Sequence, residues 1–178
     1  MKIFRFTALL VALLLPSGLF SVYKSSYDIE RERIKYCMVE ALWHEARGEN
    51  EKGIRAVATV ILNRTKHKNF PSGVCEVIRQ KKQFSYTNVL HYGNTRVKQG
   101  DNAITRVKSR DFTPVVDNQE SKLYIIETVA NEVADKKFIP SFNGKILYYH
   151  ATYVNPSWAS KMKTKVVIGK HIFKESND

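Results

Sequence analysis

The sequence predicts a mostly helical α+β domain with a small antiparallel β element. Its 178 residues suffice for one globular domain with a core. After Pro140, "KILYYHA" and "KVVIGKHIF" have the β-branched and aromatic composition of strands. Earlier in the chain, apolar residues recur with the spacing of one helical face, beginning with Ile34, Cys37, Met38, Ala41 and Leu42.

The first 24 residues indicate export. Lys2 and Arg5 precede an uncharged stretch over residues 6–23, which is typical of a secretory signal peptide or of an uncleaved signal anchor. The candidate cleavage residues, Leu19-Phe20-Ser21, include only one small residue at their end, and this favours the anchor. We expect residues 25–33 to form a polar linker and residues 34–178 to form the folded domain.

Four helices are expected in that domain. The first runs from Ile34 and ends near Gly48, a residue type suited to the left-handed position that closes many helices. The second follows Asn50, a suitable N-cap, and ends near Asn63. A short helix lies around residues 74–78, and a longer one spans about 120 to 135. Their inward residues are Ile54, Val57, Ala58 and Ile61; Val74, Val77 and Ile78; and Leu123, Ile126, Ala130, Val133 and Ala134. Residues 86–118 are polar and basic, and we interpret them as a solvated loop region.

The formal net charge of +12 and the pI of about 9.7 indicate a polyanionic partner. Nucleic acid, anionic lipid and the bacterial cell wall all meet this description, but export makes nucleic acid a poor partner. The two cysteines, Cys37 and Cys75, can form a disulfide in an exported domain, worth roughly 3–4 kcal/mol. Two free buried thiols are the alternative.

The stretch "WHEARGENEKG" carries the first chemical signal. Glu45 continues the inward face of the first helix, and an inward carboxyl group should have a raised pKa. A carboxyl group that stays protonated near neutral pH is what a general acid requires. Alternatively, Glu45 pairs with Arg47, Arg64 or a histidine and only holds the helix end. "HEARG" does not fit the zinc protease pattern, because its fifth residue is Gly48, and we expect no metal.

Three longer motifs together resemble the SleB/CwlJ-like cell wall hydrolases: "EALWHEARGENEKGIRAVATVILNRT", "FPSGVCEVIRQKKQFS" and "YYHATYVNPSWASKMKTKVVIGKHIF". The resemblance covers residues 37–173 and is weakest over 86–118. It implies a lysozyme-like fold and cleavage of peptidoglycan between N-acetylmuramic acid and N-acetylglucosamine by a lytic transglycosylase without cofactors. Glu45 would be the catalytic acid. The alternatives are a muramidase that uses water and a non-catalytic wall-binding protein of the same fold. We expect a monomer, with membrane contact through residues 1–24 if these stay attached.

The same motifs suggest further site residues. Predicted substrate-binding residues are Gln83, Phe84, Ser85, Tyr149, His150 and Trp158, although Phe84 and Trp158 also suit packing roles. Glu49 is either a cleft carboxylate or, as we favour, a cap for the second helix, whose free N–H groups attract negative charge. Asn63 and Arg64 are expected to buttress Glu45. His171 either orients a cleft residue or satisfies a strand edge.

Overall fold

The computed structural model describes residues 25–80, 83–84 and 118–177. The predicted signal segment, Ser85 and residues 86–117 of the basic stretch lie outside the described residues. The helices are α1 (Ser26–Ala46), α2 (Glu51–Thr65), α3 (Val74–Arg79) and α4 (Asn118–Ala134). The strands are β1 (Ile146–Ala151), β2 (Lys163–Ile168) and β3 (His171–Glu175), with a 3₁₀ turn at Ala159–Lys161. This architecture confirms the α+β prediction. Within the described part of the chain, no helix is both long and apolar enough to cross a membrane.

Helix α1 begins at Ser26, so the prediction of a polar linker over residues 25–33 is wrong. Ser25 and Asp28 form a capping box, in which each side chain accepts a hydrogen bond from the backbone N–H of the other. Two ion pairs then join this polar part of α1 to α3 and to the residue that follows α4: Arg33 with Glu76, and Arg31 with Asp135. Capping and ion pairing extend the helix beyond the apolar pattern from which its start was predicted.

The core lies where α1, α2, α3 and α4 meet one another and the sheet. All of the apolar inward residues predicted for α1 and α2 from Cys37 onward are fully buried: Cys37, Met38, Ala41, Leu42, Ile54, Val57, Ala58 and Ile61. In α4, Ile126, Ala130, Val133 and Ala134 are buried as predicted, whereas Leu123 is half-buried. The helical-face predictions are therefore largely confirmed. They hold because burial against neighbouring helices follows the 3.6-residue period.

The predicted disulfide is confirmed. Cys37 of α1 and Cys75 of α3 are bonded, with their Cα atoms 5.5 Å apart. Both cysteines are fully buried, so the bond links the two helices inside the core.

The sheet has the order β1-β3-β2, and both pairings are antiparallel. "KVVIGKHIF", predicted as one strand-like stretch, is divided between β2 and β3 by a turn at Gly169 and Lys170. Gly169 has φ +56°, a left-handed conformation that glycine adopts without steric cost. Because β3 is the central strand, His171 does not lie at a sheet edge. That alternative for His171 is wrong.

Candidate active site

Glu45 lies in the last turn of α1 and faces the sheet. Its side chain is half-buried, and its Oε2 atom accepts a hydrogen bond of 3.1 Å from the Tyr149 hydroxyl in β1. The two residues are 104 positions apart in the sequence. The prediction that Glu45 points inward is confirmed, and the tertiary fold supplies its partner.

Burial raises the pKa of Glu45 above its ordinary value of 4.5. The hydrogen bond from Tyr149 and the positive charge of Arg64 act in the opposite direction and lower it, without cancelling the effect of burial. The result is a carboxyl group that holds its proton more tightly than an ordinary glutamic acid does, yet whose carboxylate form has two stabilising neighbours. Such a group can donate a proton and later accept one.

Arg64 is a buried cation in α2. Only 4% of the residue is exposed, and its Nε donates a 2.8 Å hydrogen bond to the backbone oxygen of Leu147 in β1. Its guanidinium lies over the rings of Phe70, Phe84 and Tyr148, at 5.3, 5.6 and 5.9 Å from their centroids. Burial lowers the pKa of Arg64, but a guanidinium titrates so high that it remains charged. Arg64 thus supports Glu45 through its charge and fixes the strand that carries Tyr149.

Asn63 does not buttress Glu45, which corrects the prediction. Its Nδ2 donates hydrogen bonds to the backbone oxygens of Asn143 (2.7 Å) and Ile146 (3.0 Å). Asn63 therefore holds the start of β1 against the end of α2.

Glu49 is deeply buried, with 5% of the residue exposed, and binds the β2–β3 turn. Both carboxylate oxygens accept from the backbone N–H of Lys170, at 3.1 and 3.2 Å, and Oε1 lies 3.6 Å from Nδ1 of His171. The N-cap of α2 is Asn50, whose side chain accepts from the Gly53 N–H at 3.0 Å. The prediction of Glu49 as a cap for α2 is wrong, because its carboxylate is engaged by the turn instead.

His171 lies between Glu49 and Tyr149. Its ring meets the Tyr149 ring edge-on, with the centroids 5.0 Å apart. Burial lowers the pKa of His171, and the charge of Glu49 opposes this shift while His150 adds to it. The neutral imidazole is therefore favoured at neutral pH. The prediction that His171 orients a site residue stays a prediction, supported by this contact.

The other predicted substrate-binding residues have different surroundings. Trp158 is half-buried and packs against Tyr148 and against the edge of His150, at centroid distances of 5.9 and 5.6 Å. Gln83 is half-buried. Phe84, with 2% of the residue exposed, belongs to the core beneath Arg64, so its prediction as a substrate-binding residue is wrong. Residue type alone did not distinguish Phe84, which is packed in the core, from Trp158, which is only half-buried.

Several contributors were not predicted. Lys174 is buried in β3, and its Nζ donates to the Ala159 oxygen and to Thr164 Oγ1, both at 2.9 Å. It fixes the 3₁₀ turn that follows Trp158. The Lys170 N–H that binds Glu49 was also missed, although Gly169 between two β-branched runs is a hairpin signal. Among the described residues, no group of three or more His, Cys, Asp or Glu side chains is placed to hold a metal.

Comparison with known families identifies the chain. A sequence model described as cell wall hydrolase matches residues 48–174. The chain belongs to this cell wall hydrolase family. Glu49, Arg64, Tyr149 and His171 lie within the matched range, and Glu45 lies just before it.

Solved structures of this family's SleB branch share the fold. The catalytic domain of the germination-specific lytic transglycosylase SleB from Bacillus anthracis is similar with a TM-score of 0.52 and 24% identity, over 90% of this chain and 100% of that one. The catalytic domain of the Bacillus cereus SleB protein gives a TM-score of 0.52 and 25% identity, over 81% and 91%. No match was found among curated proteins. The SleB/CwlJ-like family and fold predicted from the motifs are thereby confirmed.

Proposed function

We propose that this cell wall hydrolase is a lytic transglycosylase that cleaves the bond between N-acetylmuramic acid and N-acetylglucosamine in peptidoglycan. Glu45 is the acid and, in the second step, the base. The observation that carries the proposal is the setting of Glu45: a half-buried carboxyl group with a raised pKa, held by the Tyr149 hydroxyl. The proposal is in keeping with the name of the Bacillus anthracis protein, whose fold the chain shares.

The reaction balances with one carboxyl group. Protonated Glu45 donates its proton to the glycosidic oxygen, the bond from muramic acid C1 to that oxygen breaks, and the N-acetylglucosamine hydroxyl leaves. The substrate's own acetamido group stabilises the positive charge at C1. The Glu45 carboxylate then takes the proton of the C6 hydroxyl as that oxygen bonds to C1. The product is a 1,6-anhydro end, and Glu45 is protonated again.

Tyr149 and Arg64 have a role between these two steps. While Glu45 is a carboxylate, the Tyr149 hydroxyl donates to it and the Arg64 charge stabilises it. Both interactions are stronger with the charged form of Glu45, so they favour the intermediate state over the starting acid. They therefore assist proton donation, and no cofactor enters the scheme.

The setting of Glu49 favours a transglycosylase over a muramidase. Most glycosidases that use water need a second carboxylate as base or nucleophile. Glu49 is the nearest such group in the sequence, but it is buried and both its oxygens accept from Lys170 N–H. It is also confined by glycines: a Cβ at Gly53 would lie 2.7 Å from its Cβ, and a Cβ at Gly169 would overlap its Oε2. A carboxylate held in this way is poorly placed to activate water.

Substrate contacts and location complete the proposal. We assign glycan binding to Tyr149, His150, Trp158 and Gln83. The net charge of +12 would concentrate the protein on the anionic wall. Residues 1–24 would export the domain and, if uncleaved, tether it to the membrane. An exported wall-degrading enzyme of this kind suits the lysis step of a phage as well as cell wall turnover.

Product analysis tests the proposal. The full chain is incubated with purified peptidoglycan, and the released fragments are measured by mass spectrometry beside Glu45→Gln. We expect anhydromuropeptides, one water lighter than reducing-end products, from the wild type and none from the variant. Glu51→Gln is the matched control, because Glu51 is an exposed carboxylate on α2 and should leave the products unchanged.

Three other outcomes would change the assignment. Reducing-end products would identify a muramidase and direct the search for its second carboxylate to Asp101, Asp111 and Asp117 in the basic stretch. Normal products from Glu45→Gln would exclude Glu45 as the acid. Binding to peptidoglycan without any released fragment would identify a non-catalytic wall-binding protein.

A further inference from the structure

Four neighbouring side chains form a series that begins in the turn between α1 and α2 and ends at the candidate acid. In spatial order they are Glu49, His171, Tyr149 and Glu45. Glu45 and Glu49 come from the helical part of the molecule, whereas Tyr149 and His171 come from β1 and β3. Tyr149 donates to Glu45, the His171 and Tyr149 rings meet edge-on, and Glu49 Oε1 lies 3.6 Å from His171 Nδ1 without a hydrogen bond between them.

The first part of the series is rigidly held. Glu49 binds the Lys170 N–H with both oxygens, its backbone oxygen accepts from Lys122 Nζ of α4, and glycines 53 and 169 enclose its side chain. The turn it binds is also tied to the residue that follows β1, because Lys170 O accepts from the Thr152 N–H at 2.8 Å. Glu49 thus fixes the β2–β3 turn and the first residue of β3, His171.

The second part of the series depends on ring packing. The His171 ring stands at 84° to the Tyr149 ring, and Phe173 packs against Tyr149 with the centroids 5.6 Å apart. The His171 and Phe173 rings restrict the orientation of the Tyr149 ring. This orientation determines the position of the Tyr149 hydroxyl. The hydroxyl is the group that donates to Glu45.

We propose that Glu49 and His171 are positioning residues: Glu49 holds His171, and His171 holds the Tyr149 ring so that its hydroxyl reaches Glu45. Neither residue touches the substrate in this scheme. The inference rests on the proposed function, because it assumes that Glu45 is the acid. In this scheme Glu49, the second carboxylate of "EARGE", helps to position the hydrogen-bond donor of Glu45, the first.

The pH dependence of activity distinguishes two roles for Glu49 and His171: positioning of the Tyr149 hydroxyl, and stabilisation of the fold alone. Activity needs protonated Glu45, so the rate falls as pH rises through the Glu45 pKa. Among the residues that the structure describes, Tyr149 of β1 and Arg64 of α2 act on the pKa of Glu45, and Glu49 and His150 act on that of His171. Losing the Tyr149 hydrogen bond raises the Glu45 pKa, so the high-pH limb of the profile moves to higher pH. Loss of the Glu49 charge alone would act in the opposite direction.

The experiment measures kcat/KM against pH on soluble glycan strands for the full chain and its variants. Tyr149→Phe defines the shift that follows loss of the hydroxyl. We expect His171→Ala to lose roughly tenfold to a hundredfold in rate, as misplaced catalytic groups do, and to move the limb in the same direction. The double variant should shift no further than Tyr149→Phe alone. His171→Phe, which restores a ring, should recover part of the rate.

Glu49 is tested by two variants. Glu49→Ala and Gly169→Ala should both move the limb to higher pH, the second without altering any titratable group, since its Cβ displaces the Glu49 carboxylate. Glu51→Ala and Tyr124→Phe are the matched controls, at exposed positions. Thermal unfolding is recorded for each variant, so that rates are compared only between folded proteins.

Each remaining outcome overturns the inference. An unchanged limb in folded His171→Ala, or shifts that add in the double variant, would show that His171 does not act through Tyr149. A shift to lower pH in Glu49→Ala would show that Glu49 acts only by its charge. Failure of the proposed function is recognised separately, because Glu45→Gln would then keep its activity or the wild type would release no fragments.

Discussion

Glu45 and Glu49 are the same residue type, four positions apart in one motif, but they differ in burial and in hydrogen-bond partners. Glu45 is half-buried and accepts a hydrogen bond from a side-chain donor, the Tyr149 hydroxyl. Glu49 is buried, is held by a backbone N–H and is enclosed by glycines. The two carboxyl groups differ in depth and in the type of partner, and this difference supports Glu45, not Glu49, as the proposed proton donor.

The end of α1 causes this separation. The helix ends at Ala46, and the Glu49 N–H bonds to the Ala46 oxygen at 2.9 Å as the chain turns. Residues four apart share a face only while a helix continues. Glu45 therefore keeps the direction set by α1, and Glu49 takes the direction set by the turn.

The largest expected effect is on catalysis. Glu45→Gln should lose roughly 10²–10⁴-fold in rate, the range for a positioned general acid. Glu49→Gln keeps an acceptor for the Lys170 N–H and should lose less than about tenfold, below that range. Initial rates of fragment release from peptidoglycan measure both. Equal losses in the two variants, with both proteins folded, would contradict the division of roles.

Removing the disulfide should destabilise the fold without changing that division. Replacing both Cys37 and Cys75 by Ala should lower the free energy of unfolding by about 3–4 kcal/mol. Denaturant unfolding checks this, and wild type under reducing conditions is the control. When Glu45→Gln and Glu49→Gln are each introduced into this variant without the disulfide, the ratio of their rates should equal the ratio measured with the disulfide present. An unchanged unfolding free energy would show that the bond constrains little in the unfolded chain.

A smaller effect is expected at the enclosure of Glu49. Gly169→Ala introduces a Cβ into space held by the Glu49 carboxylate, at a residue with φ +56°, and should cost about 1–3 kcal/mol. Gly144→Ala is the matched control, because its Cβ would meet nothing within 4 Å. Denaturant unfolding of the two variants gives the difference. Equal stability would mean that the Glu49 site is not tightly packed.

The smallest effect concerns stability near neutral pH. The folded-state pKa of Glu45 is raised above its ordinary 4.5, so the folded state binds its proton more tightly than the unfolded state does. Stability is therefore lost as pH rises from 4.5 through the folded pKa. Glu45→Gln should unfold at a higher temperature than wild type at pH 7, with the gain disappearing below pH 4.5. Thermal unfolding across this range tests the sign, and a less stable Glu45→Gln at pH 7 would contradict it.

Local pattern was sufficient for much of the fold. The buried face of α2, the Asn50 cap and the inward direction of Glu45 all follow from helical period and capping chemistry, which act within a few residues. The predictions of side-chain roles failed where the partner of a side chain lies far away in the sequence. Phe84 was expected to bind substrate but packs under Arg64, and Asn63 was expected near Glu45 but binds β1.

By itself, the sequence determined the buried faces of the main helices, the family and the carboxyl group to test as the acid, whereas it left the disulfide open against two free thiols. These features depend on spacing along the chain or on motifs of neighbouring residues. Only the tertiary structure decided which partners the two carboxylates have: a hydroxyl from β1 for Glu45, and the N–H of the β2–β3 turn for Glu49. Both partners are more than a hundred residues away, and no local propensity specifies contacts over that separation, because they arise when the sheet packs against the helices.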